Sequence, residues 1–306
     1  MIYKRKINNE RSYDVVICGG GMTGFAAAIS AARQGLKTAI IEKFGCLGGV
    51  ATSGGVNHLL GGRKYDEKTG KMIKTIGGLF DEITDDLISR GGAIDPDTVN
   101  TNFNPHGWYP RMAAGIPFNE EQMKIKLDEY CLEAGVDIYY FTNIIGVLAN
   151  SNKIKNIIIY NKSGLSALAA NVFVDATGDA DVAFMSDCDT VKGRKEDSLM
   201  TPASLEMHVE HVDRKEFVEY QNKHNSPKLV EIINELKQKG IWNFPYDIFV
   251  AVQLNEPDVF LINTIRQIGV DGTNYMSLTE GMIKGRQENM KLFNIIKKYF
   301  PGFKNA

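Results

Sequence analysis

The chain has 306 residues, more than one hydrophobic core usually serves, so two domains or one domain with an insertion is expected. Its 43% hydrophobic and 24% charged residues are ordinary for a globular chain, and a formal net charge of −2 gives no electrostatic reason to expect nucleic acid or an anionic membrane as a partner. The apolar run Val15 to Cys18 is too short for a signal h-region or a membrane span, and the four cysteines (Cys18, Cys46, Cys131, Cys188) form no C-x-x-C pair. The expectation is a cytoplasmic protein without a zinc site, an iron–sulfur cluster or a dithiol redox centre.

From Asp14 the chain reads as a strand (Val15 to Cys18), a glycine turn, a helix of small residues (Thr23 to Gln34) stopped by Gly35, and a second strand (Thr38 to Ile41). Residues 45–62 hold too many glycines for either regular element and predict an extended loop that lets backbone approach a ligand. A helix is expected over 76–90, ending at Gly91-Gly92, followed by an irregular Pro-, Asn- and Gly-rich excursion from Asp95 to Pro117, at the surface or as a lid. Asn119 is placed to cap a helix from Glu120 to Ala134 that feeds a strand at Asp137 to Phe141.

Three β-type runs follow, Ile145 to Ala149, Ile154 to Tyr160 and Leu165 to Ala170, with turns at Asn150-Ser151-Asn152 and Asn161-Lys162-Ser163-Gly164. They predict an antiparallel meander. A separate buried strand, Val172 to Val174, runs into Asp175-Ala176-Thr177-Gly178-Asp179. Beyond residue 190 the texture changes to longer polar helices, one opened by Asp213 with Glu216 and one by Ser226-Pro227 and stopped at Gly240, so a domain boundary is placed there. Strands around Ile248 to Leu254 and Val259 to Thr264 precede a last helix with a capping box at Ser277 to Glu280 and a stop at Pro301-Gly302.

Gly19-Gly20-Gly21-Met22-Thr23-Gly24 supplies G-x-G-x-x-G in the context that gives the pattern meaning: a strand before it, a helix after it and Glu42 ending the second strand. Gly19 suits the tight turn, Gly21 lets backbone reach a pyrophosphate, and Gly24 keeps helix and sheet close. The first amides of the helix, around Met22 and Thr23, meet the anionic charge. Glu42, 18 residues past Gly24, suits both hydroxyls of an adenosine ribose and would repel a 2′-phosphate, which disfavours NADP here. FAD, NAD and, more loosely, S-adenosylmethionine are all compatible with these residues.

The segments Asp14 to Glu42, Glu42-Lys43-Phe44-Gly45-Cys46-Leu47-Gly48-Gly49-Val50-Ala51-Thr52 and Val174 to Ala183 resemble FAD-dependent oxidoreductases with a glutathione-reductase-like FAD domain, related to fumarate reductase flavoproteins. The likeness is high over 13–60 and 120–185 and more diffuse elsewhere. It implies an α/β fold: a three-layer Rossmann-like FAD-binding domain (parallel sheet, antiparallel meander) over 1–190 with the excursion 61–118, and an α+β substrate or cap domain over 191–306. By the same resemblance Leu47 to Thr52, with Gly48, Gly49, Ala51 and Thr52 as binding residues, pass near the diphosphate, ribityl chain and isoalloxazine, Ile145 presents backbone to the adenine, Thr177, Gly178 and Asp179 lie against the cofactor, and Lys43 and Ala176 are also expected to bind it. Such flavoproteins add a final strand and a glycine-containing helix facing the flavin pyrimidine. Nothing of that kind follows Pro301-Gly302-Phe303, so the expectation is a chain truncated at its C-terminus.

Candidates for catalysis are fewer. Flavin carries the hydride chemistry, so the protein needs chiefly to hold a small organic substrate and manage a proton. Cys46, His58 and Arg63 lie on or just after the glycine-rich loop, and Arg266, with Asp271 after it, ends a strand-like run and suits a carboxylate clamp. Glu280 and Arg286, six apart on the last helix, read as solvated, and His208 with His211 lacks a third metal ligand. The function expected is hydride transfer between a small-molecule substrate and FAD, with NAD(P)H or another electron carrier closing the cycle. An NAD-dependent dehydrogenase and a non-catalytic nucleotide-binding subunit are the alternatives.

Overall fold

The computed structural model describes residues 7–66, 68–98, 115–150 and 153–306. Most of the excursion expected from Asp95 to Pro117, and the tip of the turn expected at Asn150-Ser151-Asn152, lie outside the described residues.

In chain order the elements are β1 (Asn8–Cys18), α1 (Met22–Ala32), β2 (Thr38–Ile41), β3 (His58–Leu59), β4 (Arg63–Asp66), β5 (Lys71–Lys74), α2 (Leu79–Ser89), β6 (Ile116–Pro117), α3 (Glu120–Glu133) and β7 (Asp137–Tyr139). Then come β8 (Asn143–Asn150), β9 (Lys153–Asn161), β10 (Gly164–Asp175), α4 (Asp181–Met185), β11 (Met207–Val209), α5 (Arg214–His224), α6 (Val230–Gln238), β12 (Ala251–Gln253), β13 (Phe260–Ile262) and α7 (Tyr275–Tyr299). The chain divides into two compact units, residues 1–55 with 120–191 and residues 56–119 with 192–306. The excursion expected over 61–118 therefore groups with the C-terminal residues.

The first unit is built on one six-stranded sheet in the order β7-β2-β1-β10-β9-β8. Strands β7, β2, β1 and β10 run parallel, and β9 and β8 continue antiparallel. Val16, Ile17, Cys18, Ala39, Ile40 and Ile41 are buried without regard to alternation, as expected of parallel strands covered on both faces. One apolar cluster runs from Ala39 and Ile41 through Val16 and Cys18 to Leu168, Ile157 and Ile159, with Val182 of α4 joining it.

The structure corrects one boundary. The run Leu165 to Ala170 and the strand Val172 to Val174 are a single strand, β10, of 12 residues. Its first half pairs antiparallel with β9 while it pairs parallel with β1 from Ser166 to Asp175. At about 3.3 Å per residue it is long enough to serve both neighbours. Meander and parallel strands therefore share one ladder. β1 likewise starts earlier than its apolar run, because its backbone follows β10 back to Ser166.

The second unit carries the three-stranded antiparallel sheet β11-β13-β12. Its core is aromatic. Phe217 of α5 is 1% exposed and meets Phe249, Phe260 and Phe303 edge-on at 6.4, 5.5 and 5.3 Å. Leu292 and Ile296 of α7, Ile233 of α6 and Trp242 complete the same cluster. Asp213 caps α5 as its sequence suggests, accepting from the Glu216 amide at 3.0 Å. The last helix differs: Asn274, not Ser277, is its cap, accepting from the amides of Met276 and Ser277, while Ser277 Oγ accepts from the Asp271 amide.

Truncating Phe217 to alanine leaves a cavity among three other rings. The expected cost is about 3–5 kcal/mol, read as a large drop in melting temperature, whereas an unchanged transition would mean that Phe217 does not organise this core.

Candidate functional site

The glycine turn lies at the carboxyl ends of β1 and β2, where open parallel sheets place ligand crevices. Its geometry depends on missing side chains. Gly19 has φ +105°, and a Cβ there would stand 2.3 Å from the carbonyl oxygen of Ala176. At Gly24 a Cβ would stand 1.9 Å from the Gly19 carbonyl oxygen, so α1 can pack this tightly only with glycine there. Gly21 differs from both: its φ is −63° and a Cβ would meet nothing within 4 Å. The space in front of α1 is open.

No side chain caps α1, although its first turn carries amides that need acceptors. The helix is anchored behind by buried Gly24, Phe25, Ala28 and Ile29, with the Phe25 ring edge-on to Tyr130 of α3 at 6.3 Å. An uncapped, rigidly held helix start concentrates partial positive charge at an open crevice.

Glu42 follows β2 and is 5% exposed. Its Oε2 accepts from the Gly20 amide and its Oε1 from the Phe44 amide, both at 2.8 Å. A carboxylate offers about four acceptor positions, so two such bonds leave capacity for hydroxyl donors. Gly20 was absent from the expected site residues, yet its amide holds this carboxylate, and a Cβ there would press on Leu47 and Glu42 at 2.7 and 2.8 Å. The middle glycine of the uninterrupted run Gly19-Gly20-Gly21 is the available signal.

The glycine-rich loop returns to the turn. Gly48 forms a bridge with Gly21 and donates its amide to the Gly20 carbonyl at 2.8 Å, and Gly49 comes so close that its Cβ would lie 3.0 Å from Gly21 Cα. Gly48 and Gly49 have φ of +104° and +57°. Ala51 and Thr52 are buried, and the Thr52 hydroxyl donates to the Leu47 carbonyl at 2.5 Å. Cys46 Sγ lies 3.8 Å from Thr52 Oγ1.

On the other side of Gly19, Asp175 organises Ala176-Thr177-Gly178-Asp179. Its carboxylate accepts from the amide and hydroxyl of Thr177 at 3.1 and 2.6 Å and from the Ala183 amide at 2.9 Å. Burial works to raise this carboxyl, but those bonds outweigh it and hold it below the ordinary value. Asp181 moves the other way, raised by burial and by Asp179 against the pull of Lys43. Lys43 and Asp179 are exposed, and Ile145 stands 51% exposed on β8, three residues beyond Thr142, whose amide donates to the Glu42 carbonyl. Cys18 is buried beneath, its thiol pushed up to about 12 by burial and then by Asp175, so it packs as a small apolar group.

All the expected cofactor positions thus fall in the first unit. The catalytic candidates do not stay together: Cys46 is in that unit, whereas His58, Arg63 and Arg266 are in the second. Arg63 is no solvated cation. Its side chain is 5% exposed and its guanidinium reaches Asp81 at 3.3 Å and the Gly62 carbonyl at 3.1 Å. His58 is buried where a Cβ on Gly115 would strike its ring at 2.0 Å. Arg266 is exposed, and Asp271 pairs with Lys192 at 2.8 Å, which holds its carboxyl near 2. Among the described residues no group of three or more His, Cys, Asp or Glu could hold a metal ion, and no helix is long and apolar enough to cross a membrane.

A family model described as FAD dependent oxidoreductase matches residues 14–306. Dihydrolipoyl dehydrogenase of Trypanosoma brucei brucei is 58% identical over 43 residues, 14% of this chain and 9% of that enzyme. Among solved structures, a geranylgeranyl bacteriochlorophyll reductase-like protein of Thermoplasma acidophilum superposes with TM-score 0.51 at 15% identity, over 96% of this chain and 63% of the other. The p-nitrophenol 4-monooxygenase of Pseudomonas putida gives TM-score 0.51 at 13% identity, over 96% and 65%. The chain spans under two thirds of those structures and about a tenth of the dehydrogenase; at such identities the two structures speak for the fold.

Two substitutions separate packing from open space. Gly24→Ala is expected to destabilise the ligand-free protein by about 1–3 kcal/mol, because the methyl and the Gly19 carbonyl cannot coexist. Gly21→Ala is expected to leave its unfolding within about 0.5 kcal/mol. Chemical denaturation checks both, and equal effects would contradict this geometry.

Proposed function

The chain belongs to the FAD dependent oxidoreductase family, and from that membership we propose that the glycine turn, Glu42, the loop Gly48 to Thr52 and the turn Ala176 to Asp179 together hold FAD for hydride transfer to or from a small organic substrate. The observation that carries the reading is the pairing of an uncapped α1, with open space at Gly21, and a buried Glu42 carboxylate whose two oxygens each accept one amide among the described residues. Those residues fit the adenosine diphosphate half of the cofactor. The amides of Met22 and Thr23 would receive the diphosphate, and Glu42 would accept the ribose hydroxyls.

FAD, when bound, supplies the ring that accepts or donates the hydride. The chain's own share is binding and exclusion. Gly48 and Gly49 bring backbone rather than side chains against the turn, Thr52 pins the loop through the Leu47 carbonyl, and Asp175 fixes the turn at Thr177. Lys43 and Ile145 flank the adenosine end in this reading. Cys46 remains a candidate beside the loop, and His58 and Arg266 remain candidates for substrate contact; Arg63 is committed to Asp81.

NAD(P)H or another electron carrier would restore the flavin. A cytoplasmic location belongs to the same proposal, supported by cysteines that are all free.

The direct test is the visible spectrum of the purified protein before and after acid release of any bound ligand. Flavin absorbance is expected; protein that neither carries nor takes up FAD ends the reading. Two variants localise the site. Glu42→Ala is expected to weaken FAD by about 1–3 kcal/mol, from loss of charged hydrogen bonds. Gly21→Ala, which spares the fold, is expected to weaken it at least tenfold by placing a methyl in the diphosphate space. Fluorescence titration measures both, and unaltered affinity in both variants would remove this crevice from the cofactor site.

A further inference from the structure

The turn between β7 and β8 holds a residue that is unfavourable in both backbone and side chain. Phe141 has φ +51°, in the left-handed region that a bulky residue rarely occupies, and it is 69% exposed. Its neighbours hold it there. The Tyr140 hydroxyl donates to Asp128 of α3, the Phe141 amide donates to the Phe44 carbonyl at 3.1 Å, and buried Thr142 donates its amide to the Glu42 carbonyl at 3.0 Å. A strained residue that its surroundings fix in place points to function.

Packing does not explain the choice of residue. The ring lies against Gly45, where a Cβ would stand 2.5 Å from Phe141 Cζ, so it meets bare backbone while most of the residue stays in water. Glycine or asparagine would adopt this φ with less strain. The position of the ring does offer a reason. Glu42 Oε1 accepts from the Phe44 amide at 2.8 Å, and Gly45 is the next residue, so the ring lies within about 12 Å of that carboxylate. A ribose held by its hydroxyls on Glu42 carries its base within the same reach. The neighbouring ring of Phe44 already has Lys43 Nζ 5.4 Å from its centroid. A large flat side chain, fixed at its backbone and exposed to water, is suited to stack on the face of a nucleobase.

We propose that Phe141 is the stacking platform for the adenine of the bound cofactor, a role that rests on the reading of this crevice as the FAD site. Diphosphate and ribose are then held by the glycine turn and Glu42, and the base by an aromatic ring that the glycine motif does not supply. The strain at Phe141 is the cost of holding that ring where the base arrives.

Titration of the full chain, stripped of any bound flavin, with ADP and with FAD tests the proposal. Phe141→Gly and Phe141→Leu are each expected to weaken both ligands by about fivefold or more, whereas Phe141→Tyr and Phe141→Trp are expected to stay within about twofold of the unsubstituted chain. ADP is also expected to quench the fluorescence of the indole added by F141W. In the absence of ligand, Phe141→Gly is expected to hold or raise the melting temperature, because strain is released. A fall in melting temperature would assign the ring to packing and overturn the proposal. So would unsubstituted protein that takes up FAD with an affinity that Phe141→Gly and Phe141→Leu leave unaltered, a result that spares the cofactor site itself. Unsubstituted protein that neither carries nor takes up FAD ends both readings.

Discussion

A carboxylate buried at the end of the second strand needs hydrogen bonds in place of the water it has lost, since an unpaired buried charge is among the costliest features a fold can carry. The amides of Gly20 and Phe44 supply them to Glu42 at 2.8 Å each. That requirement shapes the surroundings. Gly20 has no room for a side chain, Leu47 is packed against it with no exposure, and the loop must return so that the Gly48 amide reaches the Gly20 carbonyl. From there the constraint passes to Gly19, which abuts Ala176, and to Asp175, which ties the next turn. One carboxylate thus ties together three chain segments.

Much of this unit was legible because its signals are local. The strand Val15 to Cys18, the helix after the glycines, the stop at Gly35 with φ +81° and the strand Thr38 to Ile41 depend on neighbours in sequence. What depends on distant partners was not. Leu165 to Ala170 and Val172 to Val174 read as separate strands, yet the side-chain amide of Asn171 between them donates to Asp14 at 3.3 Å and β10 continues through it. Ser277 with Glu280 read as a capping box, but Asn274 takes the helix amides and leaves the Ser277 hydroxyl to Asp271. Both capping arrangements are chemically sound, and the chain entering from Asp271 decides between them.

The membership of the excursion shows the same limit on a larger scale. Asn255 donates to the Gly91 carbonyl at 3.4 Å and Asn119 donates to Glu256 at 3.3 Å, across 164 and 137 residues. Periodicity within either segment carries no trace of such bonds. Arg63 is a related case, since an arginine after a glycine loop reads as a candidate for substrate contact or as a solvated cation, and its bond to Asp81 lies 18 residues away in sequence.

The central ladder of the first unit joins Asn8 to Ser166 and Cys18 to Asp175. On a ribosome that separation becomes a delay. β1 and β2 leave the exit tunnel with their apolar residues and with the far edge of β1 unpaired, and about 130 further residues, from Ile41 to Asp175, must be polymerised before the strand that closes that edge exists. At about 5–20 residues per second the open edge persists for roughly ten to thirty seconds, with a competing strand or chaperone as its natural occupant. Nascent chains of this protein should therefore be most prone to capture by such partners while synthesis passes through the excursion.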